Sequence, residues 1–306
     1  HYPLRRQRQM CIRDRSRKLR QEEIGSKIEN YRGNDTSAKD LITVIKINNC
    51  YMEMVDRWYA HKGEAVFAGF ISMMISGIGF GVMGTTTFLA GDWSFFIFVT
   101  LLCAGPAALG WVLFRLEAFQ LTHYPVRLNR TNRMVYAILP RGDMVKVKWD
   151  DLFVYLAENK IAWFPKPFYE IRAHVLSDDR ENVLKTFSLG YPTWGEKELA
   201  LGKWEFVRRY MEDSDGYEKN SELIELCMPL DGVKESLSFC IIRGMGPLSG
   251  SFLGQLFLSP IYVLGVWGRM VAIYTSKIPR WPENIEAKCH VSKDDPYAKT
   301  AGDNAP

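Results

Sequence analysis

The sequence predicts an α+β membrane protein: a transmembrane helical hairpin, a cytosolic β-rich domain closed by a helix, and a C-terminal apolar segment that spans or re-enters the bilayer. Three observations predict it. Two long uncharged runs stand almost back to back, Ala65 to Gly91 and Trp93 to Phe114. Stretches of strict apolar–polar alternation follow them. A third uncharged run, Gly244 to Gly268, lies near the end. The average composition, 24% charged and 47% hydrophobic, is that of an ordinary globular chain and excludes collagen-like and low-complexity classes. It conceals the membrane signal because the apolar residues are gathered in blocks.

The first stretch, residues 1–15, is set aside. Arg5 to Arg15 resembles the in-frame translation of a transposon sequencing adapter rather than a natural arm. It also carries the whole charge excess. The chain holds 39 basic and 35 acidic residues, and residues 1–15 hold five Arg and one Asp. The remainder is neutral, so no global case for nucleic-acid binding remains.

The hairpin comes next, over 65–114, after an N-terminal cytosolic segment at 16–64. A spanning helix needs roughly 20 mostly apolar residues, and both runs supply them. The turn falls near Ala90–Asp92. It carries no Lys or Arg, whereas Arg57 and Lys62 precede the first run and Arg115, Arg127, Arg130 and Arg133 follow the second. The positive-inside bias puts both ends in the cytoplasm. Trp93 and Trp111 suit the interface as anchors. Gly77 and Gly81, and Ala68, Ser72 and Ser76, have the spacing of close helix packing, within the hairpin or between two copies. No Asp, Glu, Lys or Arg interrupts either run, against a proton or ion pathway.

Residues 115–213 read as the β-rich domain. Val145–Trp149 and Tyr169–Val175 alternate strictly, the mark of strands with one buried face. Arg133–Leu139 and Val183–Leu189 read as further strands. Turn clusters at Asn129–Asn132, Pro140–Asp143 and Ser177–Arg180 separate them. Glu196–Met211 then reads as a helix with Leu201, Trp204, Val207 and Met211 on its buried face and Lys203 away from it. His174 falls on the polar side of its strand and is expected to be exposed. Leu41–Ile47 is a further element, strand or helix.

Residues 214–286 read as a linker, polar over Glu212–Asn220, and the third apolar run. The tandem glycines Gly246, Gly250 and Gly254 favour close packing. Basic residues flank the run on both sides, so charge bias does not orient it. A re-entrant or surface-lying path is slightly favoured, with Trp267 and Trp281 as interfacial anchors. Residues 287–306 read as a disordered tail.

No catalytic, cofactor or metal motif emerges, and no cofactor is expected. The six cysteines lack zinc-site spacing, and no His-Glu-x-x-His, phosphate loop or nucleophile elbow occurs. One basic cluster remains as a lipid or partner contact: Arg127, Arg130, Arg133, Arg141, Lys146 and Lys148. Anionic lipid attracts such residues by about 1 kcal/mol each.

The order of motifs carries a resemblance. Pro125, Arg127, Asn129, Arg130 and Arg133 are followed by Trp149-Asp150, then Gly268-Arg269, then Pro279, Trp281, Pro282, Asp295 and Pro296. Over about residues 40–297 the chain resembles an uncharacterised family of bacterial two-span membrane proteins with domain of unknown function 6708. The resemblance implies no catalytic residues. It implies a non-enzymatic inner-membrane protein whose partner is a secretion-system toxin, in an immunity or accessory role. The strand-then-helix order also resembles membrane proteins with a pleckstrin-homology-like domain, which implies a lipid- or protein-docking scaffold.

Overall fold

The computed structural model describes residues 17–31, 37–140, 142–160, 166–245, 252–289, 291 and 295–304. The adapter-like stretch, Arg141, Gly246 and Gly250 lie outside them. The chain divides into two units. It leaves the first after Ala60, returns at His123, leaves again after Gly232 and returns at Pro279.

The first unit is built on two antiparallel sheets. One is a five-stranded meander: β2 (Val44–Ile47), β3 (Tyr51–Met54), β4 (Val126–Asn129), β5 (Met134–Ile138) and β6 (Met144–Lys148). The other joins β1 (Arg17–Lys18), β7 (Leu152–Asn159), β8 (Phe168–Leu176), β9 (Asn182–Ser188) and β10 (Thr193–Trp194). The expected turns fall where the sequence puts them, between β4 and β5, β5 and β6, and β8 and β9. Arg133 and Arg180 take positive φ there, at 52° and 59°. Alternation aims Met52, Leu128, Val135, Ile171 and Ala173 into one core. Helix α4 (Lys197–Glu212) closes it, stacking Trp204 on Trp149 with centroids 5.6 Å apart.

Several expectations are corrected here. The β-rich unit is not confined to 115–213, since strands from before the hairpin and residues from the end complete it. Leu41–Ile47 resolves as a strand over its second half, β2. The supposed polar linker contains helix α5 (Gly216–Leu223), anchored by Asn220 Nδ2 donating to Phe206 O at 2.6 Å. The tail is docked in its described part. Lys299 pairs with Ile47 through both backbone hydrogen bonds, and Asn304 Oδ1 accepts from Cys227 N at 2.7 Å. Polar composition reads as disorder only when no backbone partner is waiting, and here an edge strand supplies one.

The second unit holds the apolar helices: α2 (Glu64–Leu89), with a π-turn at Phe80–Gly84, α3 (Trp93–Glu117), α6 (Leu237–Met245) and α7 (Phe252–Thr275). Gly91 breaks α2 with φ 71°, and the Asp92 carboxylate caps α3 by accepting from Phe95 N at 3.0 Å. The base of the hairpin is capped reciprocally. Glu117 Oε2 accepts from the backbone of Gly63 and Val66, while Lys62 Nζ donates to the carbonyls of Glu117 and Leu121. Each side chain thus meets the orphan groups and dipole end of the other helix. Helices α2 and α3 cross at Gly69 and Gly110, where an added Cβ would fall 2.5 or 2.6 Å from the opposite carbonyl. Gly77 and Gly81 meet nothing within 4 Å and face outward, so the spacing that the sequence offers for hairpin packing is not used there.

Candidate functional site

The two sheets share one design: each has a charged outer face, and a terminal segment of the chain lies over it. Register places Lys46, Glu53, Arg127, Tyr136 and Lys146 in one cross-strand row on the outer face of the meander. Over this row runs the segment that contains α8 (Glu283–Glu286), bringing Trp281, Ile285 and Cys289 against Cys50, Tyr51 and Tyr136. Arg127 is the fastener. Its Nε and Nη2 both reach Glu53 Oε2, at 2.9 and 2.7 Å, and Nη2 reaches Glu286 at 3.1 Å. Its guanidinium lies 4.4 Å from the Tyr51 ring and 4.7 Å from that of Trp281. Trp281 Nε1 donates to the other Glu53 oxygen at 3.1 Å. Burial opposes the charge on Arg127, but Glu53 and Glu286 outweigh it and hold the guanidinium firmly protonated. Beside this, Asn129 Nδ2 donates to Lys288 O at 2.9 Å.

The second sheet repeats the pattern with the other end of the chain. Glu170, Arg172 and His174 lie on its outer face, and residues 17–31, which contain α1 (Gln21–Gly25), cover part of it. Arg17 grips Glu23 through both nitrogens, at 2.6 and 2.9 Å, and His174 Nε2 lies 3.4 Å from Glu23. Burial works against the Glu23 carboxylate, yet His174, Arg17 and the Arg20 backbone hold it well below the usual range. His174 is fully buried rather than exposed, with Thr186 Oγ1 2.8 Å from Nδ1, and burial pulls its pKa down. Glu170 Oε2 binds Arg57 and Arg172.

Lys203 also departs from expectation. Instead of pointing to solvent it is buried in α4, donating to the Tyr191 carbonyl. Burial pulls its pKa down to about 7. The side chain runs close over Gly190, where an added Cβ would fall 3.3 Å from Lys203 Nζ, and beside it a Cβ on Gly202 would fall 2.8 Å from the Ser37 carbonyl, so this side of the helix is covered too.

The remaining expected contacts scatter. Arg127 is 1% exposed and unavailable to a lipid headgroup. Arg130 bends to the carbonyls of Asp213 and Ser214, at 2.8 and 3.1 Å. Arg133 pairs with Asp150, Nε to Oδ2 at 3.0 Å, in the open. Lys146 and Lys148 are exposed on β6, the sheet's edge strand. Arg141 lies outside the described residues. Trp93 and Trp111 are exposed at the two ends of α3, with Arg115 5.9 Å from the Trp111 ring. Trp267 packs on Phe70 with centroids 4.5 Å apart. Trp281 belongs to the clasp on the meander. Among the described residues of that set, Arg127 and Trp281 are brought into contact, and Lys146 shares the cross-strand row of Arg127. Sequence reasoning misses Tyr51, Glu53 and Glu286; the alternating Tyr51-Met52-Glu53-Met54 is a signal for the first two, and Glu286 has none.

Among the described residues no group of three or more His, Cys, Asp or Glu side chains converges as a metal site. The second unit defines the class: three of its helices are long and apolar enough to cross a membrane, Glu64–Leu89, Trp93–Glu117 and Leu256–Thr275. The family model described as "Family of unknown function (DUF6708)" matches residues 106–293, and the chain belongs to that family. No curated protein and no solved structure matches it. The match spans the motif order from Pro125 to Pro282, including Arg127, Asn129 and Trp281, and stops short of Asp295 and Pro296, so most of the clasp lies within the family region.

Proposed function

We propose that this chain is a non-enzymatic, membrane-anchored binding protein of the bacterial inner membrane, with its β-rich unit on the cytosolic side. The observation that carries the reading is the exterior of the helical unit. Ile75, Ile78, Leu89, Leu101, Leu109 and Phe257 are all more than half exposed there. Water would make such a surface a liability, and lipid tails make it neutral. The chain path adds support. Each excursion into the helical unit starts from the β-rich unit and returns to it, and α6 packs on α7, with Val266 where a Gly244 Cβ would stand. A returning path for 233–278 keeps the tail on the same side as the strands. The family resemblance supports a toxin of a secretion system as the partner, in an immunity or accessory role, with no part for nucleic acid.

Deleting the gene should sensitise cells to a sister strain that delivers the neighbouring effectors, and plasmid-borne wild type should restore survival. Unchanged competition against every such effector contradicts the immunity role. Docking to anionic lipid through a pleckstrin-homology-like domain is the second reading. It is favoured by the exposed Lys146 and Lys148 and by the order of two meanders and a closing helix. The burial of Arg127 weakens it.

A further inference from the structure

The clasp brings two cysteines together. Cys50 sits in the turn between β2 and β3, and Cys289 follows α8. Both are buried in one small cluster with Tyr51, Tyr136 and Ile285. Their sulfurs face the same nitrogen: Asn129 Nδ2 lies 3.7 Å from Cys50 Sγ and 3.5 Å from Cys289 Sγ. Both sulfurs are thus within reach of one amide group. The Lys288 carbonyl lies 3.9 Å from Cys50 Sγ as well, so backbone next to Cys289 already lies against its partner.

The two thiols are buried alike, 7% and 5% exposed, but their settings differ. Cys50 is held inside the sheet turn. Cys289 belongs to a surface segment in which Glu286, Ala287 and Lys288 are exposed. Local lifting of that segment uncovers Cys289 without opening the sheet. Burial pushes the Cys50 thiol up, which keeps it protonated until the segment moves.

We propose that Cys50 and Cys289 form a redox pair that closes into a disulfide when the chain meets a small-molecule disulfide such as oxidised glutathione. The bond would fix the C-terminal segment covalently across the outer face of the meander. In the first step the Cys289 thiolate attacks one sulfur of the small disulfide. A mixed disulfide forms, and one small thiolate leaves. In the second step Cys50 loses its proton to solvent and attacks the Cys289 sulfur, expelling the second small thiolate. Two protein thiols are oxidised by two electrons, and one small disulfide is reduced to two thiols. Closure requires the sulfurs to reach about 2.05 Å, which ends their shared contact with the Asn129 amide. A cytosolic location suits a reversible, sensing bond rather than a permanent one.

The test uses the full chain in detergent, equilibrated over a range of reduced-to-oxidised glutathione ratios, then alkylated, digested and mapped without reduction. The expected result is a single linked peptide pair, Cys50 with Cys289, rising with one midpoint and reversed by dithiothreitol. Cys103, Cys227 and Cys240 should stay alkylatable on unfolding. Proteolysis within 279–291 should slow at least several-fold in the oxidised form. Cys50→Ser should trap the mixed disulfide on Cys289. If both thiols stay fully alkylatable at every ratio, or if either links to a different cysteine, the proposal is overturned. The wild-type map decides the matter alone if the variant does not fold.

Discussion

The guanidinium of Arg127 lies 4.7 Å from the ring of Trp281, and the two side chains hold the same carboxylate, that of Glu53, from opposite ends of the family region. Arg127 comes from a central strand and Trp281 from the segment that returns after the last apolar helix. Their contact makes a distant piece of chain part of the sheet. The arrangement is fork-shaped, stacked and buried, which suits arginine and not lysine.

Breaking it should therefore be costly. Arg127→Met leaves Glu53 buried with its strongest partner gone, and a loss of roughly 3 to 5 kcal/mol is expected. Arg127→Lys should lose part of this, because an ammonium neither forks nor stacks. The double variant Arg127→Met with Glu53→Met should recover most of the loss. Thermal unfolding in detergent, followed by tryptophan fluorescence, measures all three.

Lys203 predicts a pH dependence. Its folded pKa of about 7 lies below its ordinary 10.5. Between those values the unfolded chain binds a proton that the folded chain does not, so stability falls as pH drops through this window and levels off below about 7. Lys203→Met removes that penalty. The variant should be more stable than wild type at pH 7, by an amount on the order of a few kcal/mol. The gap should close as pH approaches 10.5. Denaturant titrations at pH 7, 8.5 and 10 would check the sign, and a gap that widens with pH would contradict it.

The glycines of α2 separate two kinds of helix face. Gly69→Ala would place a Cβ 2.5 Å from the Gly110 carbonyl, which cannot move without parting the helices. A destabilisation of about 1 to 3 kcal/mol is expected. Gly77→Ala meets open space and should be neutral or slightly stabilising. Detergent melting curves of the two variants give the contrast directly.

The parts that were legible in the sequence are those with a local cause. The hairpin is bounded by charge and broken by Gly91-Asp92, so its limits can be read within a few residues. Strands β6 and β8 alternate over five or more residues, and their turns carry Asn, Gly, Asp or Ser. What escaped is long-range covering. His174 and Arg127 occupy polar positions on their strands, and alternation assigns such positions to solvent. Both are buried because residues 17–31 and 279–289 fold back with complementary charge, and neither segment has a period that announces a partner. Trp281 carries a signal that sequence reasoning takes for an interfacial anchor: a tryptophan bracketed by Pro279 and Pro282 and followed by Ile285 and Cys289 is a rigid, apolar segment, and it packs on the sheet. Lys203 fails for another reason, since a helix face read from four apolar residues does not count the sides that a closing helix buries.

The central claim of the proposed function is one-sidedness: it puts every described part of the β-rich unit, including the returning segment, on the cytosolic side of a membrane that the hairpin crosses. The most direct measurement is thiol labelling of intact spheroplasts with a membrane-impermeant maleimide. The background would have its six cysteines replaced, and a single thiol would be placed at Ala90 or at Glu283, both exposed positions. The account predicts that Ala90→Cys labels from outside and that Glu283→Cys labels only after the cells are opened. Labelling of Glu283→Cys in intact spheroplasts would contradict it, because the segment held by Arg127 would then stand across the membrane from where this account puts it.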